Sequence, residues 1–201
     1  MVKLRIVKPA TPNAFAHTNR MGDTFYLHEG RTKTGKPRYF FAKTVGDGAL
    51  AEMPDGFEVS ESINAVVSVR RKRAAQRQVP AADVELVRAA VKQHRHLRDH
   101  DVSVVGPAIV VFEPDTSRAL LEQIAVDLGR PLPESYVQER IRRVRFRPVM
   151  KFEPDPDGYA IFRMTYSGRG GWSYPLASGK LPELVRQFVR HIGTDAFFEL
   201  F

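Results

Sequence analysis

Residues Gln138 to Lys151, QERIRRVRFRPVMK, hold five arginines and a lysine against one glutamate. Within them Arg143, Arg145 and Arg147 alternate with Val144 and Phe146. A period of two is that of a strand with one apolar and one cationic face. Extended, it would space guanidinium groups roughly 6.5 Å apart in a row. Guanidinium groups are permanently charged and bind phosphate oxygens in pairs, so such a row suits a phosphate backbone. Arg142, Arg143, Arg145 and Arg147 are the expected central contacts. A second run, Arg70, Arg71, Lys72 and Arg73, would assist them. Phe146, Phe152, Tyr159, Tyr166 and Trp172 lie nearby in sequence and are candidates for stacking on bases. The competing reading is a charged, solvated strand edge, a common protection against edge-to-edge aggregation.

Charge elsewhere supports the choice. The net charge is +8, unevenly spread: Arg70 to Arg98 carries an excess of seven positive charges and Gln138 to Lys151 of five. One fold bringing both blocks to one face would attract a polyanion. The expected partner is therefore nucleic acid, DNA or RNA, held without catalytic chemistry and without a cofactor.

The alternative reading is catalytic, a metal-dependent nuclease or phosphodiesterase. No lysine has Asp or Glu two positions before it, so the carboxylate-x-lysine pattern of one large nuclease class is absent. Glu113 and Asp115 flank Pro114, and Asp155 and Asp157 lie in PDPDG; either pair has the oxygen chemistry for Mg²⁺. Capping and turn roles explain both pairs equally well. His94, His96 and His100 are spaced so that the last two would share a helix face, as metal ligands do. A basic helix C-terminus accounts for them without metal. Gly171-Trp172-Ser173-Tyr174-Pro175 departs from a nucleophile elbow at its last position, and Ser178-Gly179-Lys180 lacks the earlier glycine of a P-loop. No cysteine is present, which excludes disulfides, thiolate zinc sites and Cys nucleophiles. It also fits a reducing, cytoplasmic setting. No segment approaches the roughly 20 apolar residues of a membrane helix. Arginine outnumbers lysine 22 to 9, a bias that points to a GC-rich bacterial source.

The elements that must position these residues predict an α+β fold. An antiparallel β-meander is expected in the N-terminal third, then a mixed module of helices and strands with a C-terminal amphipathic helix. Met1 to Asp23 reads as an arm. The meander would span Thr24 to Arg71, from the aromatic-rich FYLHE and RYFFAK runs to FEVSE and AVVSVRR. The loop between the first two runs, GRTKTGKP, resembles in pattern the basic hairpins of small sheet-based DNA-binding modules. Turn chemistry explains its glycines and proline, so the arginine strand is preferred as the contact. Two domains follow, 1–78 and 79–201, with one continuous domain as the alternative.

In the second part, a helix is expected from about Ala82 to Leu97. Ala108 to Phe112 should be a strand buried on both faces. The next helix, Ser117 to Leu128, would be capped by Asp115 or Thr116 and bury Leu120, Leu121, Ile124 and Leu128. A short helix from Pro133 would end near Ile141, before the arginine strand. The final helix buries Leu181, Leu184, Val185, Phe188, Val189 and Ile192, and Gly193 ends it. The closing DAFFELF either completes the core or docks into a protein partner, a third reading of function.

Overall fold

The computed structural model describes residues 13–72, 79–165, 171–197 and 199. The chain is α+β and forms two compact units, 1–73 and 74–201.

In the first unit, β1 (Ala16–Thr18), β2 (Thr24–Arg31) and β3 (Pro37–Ala42) form an antiparallel meander. β4 (Phe57–Glu61) and β5 (Val67–Arg71) pair separately as a hairpin. The expected single meander over Thr24 to Arg71 is therefore two sheets, and β1 comes from the expected arm. Leu27 is fully buried on the inner face of β2, opposite Phe41 of β3. Phe41 lies against Phe15, and Tyr39, on the same face, meets Phe57 edge-on. Polar contacts tie β4–β5 to the segment after β1. Asn19 Nδ2 donates to Ala65 O at 2.9 Å, Arg20 N to Glu61 Oε1 at 2.8 Å, and His17 Nε2 meets Glu61 Oε2 at 2.9 Å. Of the expected arm, residues 1–12 lie outside the described residues.

The second unit is built on one antiparallel sheet. Its strands are β6 (Asp101–Val105), β7 (Ala108–Pro114), β8 (Phe146–Asp155), β9 (Gly158–Thr165), β10 (Gly171–Trp172) and β11 (Ala177–Gly179). The order is β10-β9-β8-β7-β6, with β11 also on β9. Ala108 to Phe112 are all buried, as a central strand with both faces covered requires. β8 runs through Pro148 because the ladder shifts there. Val111 pairs with Met150 and Phe112 with Pro148, which leaves Val149 unopposed. The extra residue turns both Val149 and Met150 inward.

Helices α1 (Ala81–Gln93) and α4 (Leu181–Phe188) contribute to the main core. The six residues expected on the inner face of the last helix are all buried, with Val189 and Ile192 reached through a 3₁₀ turn. A Cβ on Gly158 would sit 2.5 Å from Gly179 O, so close β9–β11 contact requires glycine there. Phe197 is buried in the same core, and its carbonyl accepts a 2.7 Å bond from buried Arg163 Nη1. The end of the chain is thus anchored up to Phe197; Phe198, Leu200 and Phe201 lie outside the described residues.

α2 (Arg118–Asp127) departs from expectation twice. Its cap is Ser117, whose Oγ accepts from Leu120 N, and not Asp115 or Thr116. Only Leu121 of the expected stripe is buried; Leu120, Ile124 and Leu128 are exposed. No helix among the described residues is long and apolar enough to cross a membrane.

Candidate nucleic-acid interface

The arginine strand is mostly not a strand. α3 (Glu134–Arg142) extends through Arg142, and Arg143 is its C-cap. β8 begins only at Phe146, so of Arg143, Arg145 and Arg147 only Arg147 lies on a strand. The reason is local. Glu139 stands three and four residues before Arg142 and Arg143 and pairs with both. Cations also suit the negative end of the helix dipole. The pairing and the dipole together outweigh the alternating pattern.

The cations of this segment are largely engaged. Arg142 and Arg143 pair with Glu139, whose carboxyl is held below its ordinary value, first by the Arg143 hydrogen bond. Arg147 pairs with Glu113 across the β7–β8 ladder. Arg140 Nη2 donates to Thr116 Oγ1. Arg145 is exposed; its amide donates to Asp115 Oδ1 at 3.1 Å. The second basic run behaves similarly. Arg70 pairs with Glu58 across β4–β5, and the Arg71 guanidinium lies 5.1 Å from the Phe57 ring centre. Lys72 is exposed beyond the strand end, and Arg73 lies outside the described residues. Arg70 and Arg71 belong to the first unit and Arg142 to Arg147 to the second.

The β2–β3 hairpin differs. Its turn, Thr32 to Lys36, is closed by Thr32 N donating to Lys36 O and Gly35 N donating to Thr32 O, both at 2.9 Å. Lys36 N also donates to Thr32 Oγ1 at 3.1 Å. Gly35 holds φ of +79°, the left-handed conformation that favours glycine. Arg31, Lys33, Lys36 and Arg38 surround this turn, and all are exposed. No acid lies between Gly30 and Lys43 in the sequence. None of the four side chains has a hydrogen-bond, ion-pair or ring partner among the described residues. A hydrogen-bonded turn is thus flanked by four exposed cations with no acidic partner among the described residues.

Strand alternation sets what lies beside them. Tyr26, His28 and Gly30 of β2 share a face with Ala42, Phe40 and Arg38 of β3, opposite in that order. His28 is buried, its Nε2 3.1 Å from Thr44 O. Phe40 stacks on it with ring centres 5.5 Å apart and planes 19° apart, yet remains 38% exposed. Turn chemistry accounts for the glycines and proline of this loop but not for its exposed cations. The available signal was the lack of any acid beside it, against Glu139 beside the arginines.

The candidate catalytic residues converge more than their spacing implied. His96, His100, Glu113 and Asp115 line one groove of about 770 Å³ in the second unit. They do not form a metal cage: among the described residues no group of three or more His, Asp or Glu is placed to hold a metal ion. The expected helix that would align His96 with His100 ends at Gln93, because His94 is extended. His96 Nε2 instead hydrogen-bonds Ile192 O at 3.1 Å. His100 is buried, and neither ring nitrogen has a hydrogen-bond partner among the described residues. Burial pushes its pKa below the ordinary value, against the pull of Glu113. No model of a known protein family matches this chain, and no curated protein or solved structure matches it either.

Proposed function

We propose that the protein binds nucleic acid through phosphate contacts centred on the β2–β3 hairpin and contributes no chemistry of its own. The observation that carries the reading is the set Arg31, Lys33, Lys36 and Arg38, exposed around one fixed turn without acidic partners. Such cations meet a phosphate backbone without first giving up an ion pair. Lys72, in the same unit as the hairpin, and Arg145, in the other unit, are further exposed cations that can meet phosphate. Arg142, Arg143, Arg147 and Arg70 take a secondary part, since an exposed ion pair is worth only about 0–1 kcal/mol and yields to a phosphate at small cost. The overall excess of positive charge favours encounter with a polyanion.

The test compares two charge-removed proteins in oligonucleotide binding at low salt. Replacing Arg31, Lys33, Lys36 and Arg38 by Gln should weaken binding at least about 100-fold, on the order of several lost phosphate contacts. Replacing Arg142, Arg143 and Arg145 by Gln should weaken it less than about tenfold. Equal losses, or a larger loss from the second set, contradict the assignment to the hairpin.

A further inference from the structure

Phe40 is an exposed aromatic residue outside the buried core. Its register partner His28 is buried beneath it and fixed by Thr44 O. Its diagonal neighbour on the same face is Gly30, and a Cβ there would lie 3.2 Å from Phe40 Cε1. The ring therefore lies across the backbone of Gly30, in space that any other side chain would fill. Stacked on His28 and close over Gly30, Phe40 as a residue remains 38% exposed. Arg38 stands two residues away on the same strand face, at the edge of the cationic turn.

From this we infer that the hairpin takes single-stranded nucleic acid, with one unpaired base stacked on Phe40 while Arg38, on the same face, and the turn residues Lys33 and Lys36 hold the flanking phosphates. The inference rests on the nucleic-acid reading above and narrows its ligand. Every base offers a flat π-face, so stacking is tolerant of sequence. Bases in a duplex have both faces covered by neighbours and cannot lie on a ring embedded in a sheet face. The four cations supply the sequence-independent attraction. The guanidinium of Arg38 can also cover a base edge from the side, since Arg packs on aromatic planes.

The experiment uses the full chain and two labelled oligomers of equal length, oligothymidylate and its abasic counterpart, which shares the phosphates and lacks the bases. Wild type should bind the thymidylate roughly 5- to 100-fold more tightly, the range expected for one stacked base. Phe40→Leu keeps an apolar side chain over Gly30 and should bring that ratio near one while leaving affinity for the abasic oligomer unchanged. Phe40→Tyr should restore the ratio. If Phe40→Leu fails to fold, Phe40→Trp in a Trp172→Phe background reports directly, with its emission quenched by thymidylate and not by the abasic strand. A wild-type ratio near one, a ratio unaffected by Phe40→Leu, or unquenched emission overturns base stacking. With abasic binding intact, any of these leaves the phosphate-binding reading standing. Failure to bind either oligomer at low salt removes both.

Discussion

His100 shows what burial does to a single residue. Its two ring nitrogens are buried with no hydrogen-bond partner among the described residues, and leaving a buried polar group so costs roughly 1–3 kcal/mol. Burial is the largest influence on its protonation and favours the neutral ring. Glu113 and Asp99 favour the charged form, while His96 and Lys92 oppose it. The folded pKa is thus depressed below the ordinary 6.5, so the unfolded chain binds the proton more readily. Stability is full above about pH 6.5 and falls as the pH drops through that value. His100→Phe keeps the ring volume and removes both orphaned atoms. It should raise stability by roughly 1–3 kcal/mol and flatten the pH dependence between about pH 7.5 and pH 5.5. Thermal unfolding across that range checks this. A less stable variant with an unchanged pH slope would mean that His100 has a partner in solution.

At the scale of elements, legibility followed how many constraints agreed. The last helix was readable because its apolar period, its terminal Gly193 and its burial coincide. The strand at Ala108 to Phe112 was readable because a continuous apolar run between proline-containing turns has few alternatives. The arginine segment was misread because two periodicities overlap there. Arg143, Val144, Arg145, Phe146 and Arg147 alternate as a strand would, but Glu139 supports a helix over the same first residues. The inner face of α2 was misread because Leu120, Ile124 and Leu128 share helical spacing, yet nothing among the described residues covers them fully. Sequence spacing states which residues share a face, not whether that face has a partner. The aromatic tail was left open and is now partly resolved. Phe197 lies in the core with its carbonyl bound by Arg163. Phe197→Ala should therefore cost roughly 3–5 kcal/mol in denaturant unfolding, the usual penalty for emptying a buried phenylalanine site. A cost below about 1 kcal/mol would mean that the chain end is dispensable to the core.

For the whole molecule, the decisive quantity is where the net charge of +8 is left unneutralised. Among the described residues, Arg70, Arg142, Arg143 and Arg147 of the blocks richest in cations each pair with an acid from the same helix or the adjacent strand. Those partners are three or four residues away in one case and tens of residues away in others, so the second kind could not be read from local composition. The hairpin has fewer cations but keeps all of them. This redistribution is the centre of the account, and the salt dependence of binding tests it most directly. The measurement is fluorescence anisotropy of a labelled single-stranded oligonucleotide with the full chain over a series of salt concentrations. Four phosphate contacts predict a slope of log Kobs against log salt near about −3, with most of that slope lost when the four hairpin cations are replaced by Gln. A slope near zero, or one that survives those replacements, would contradict it.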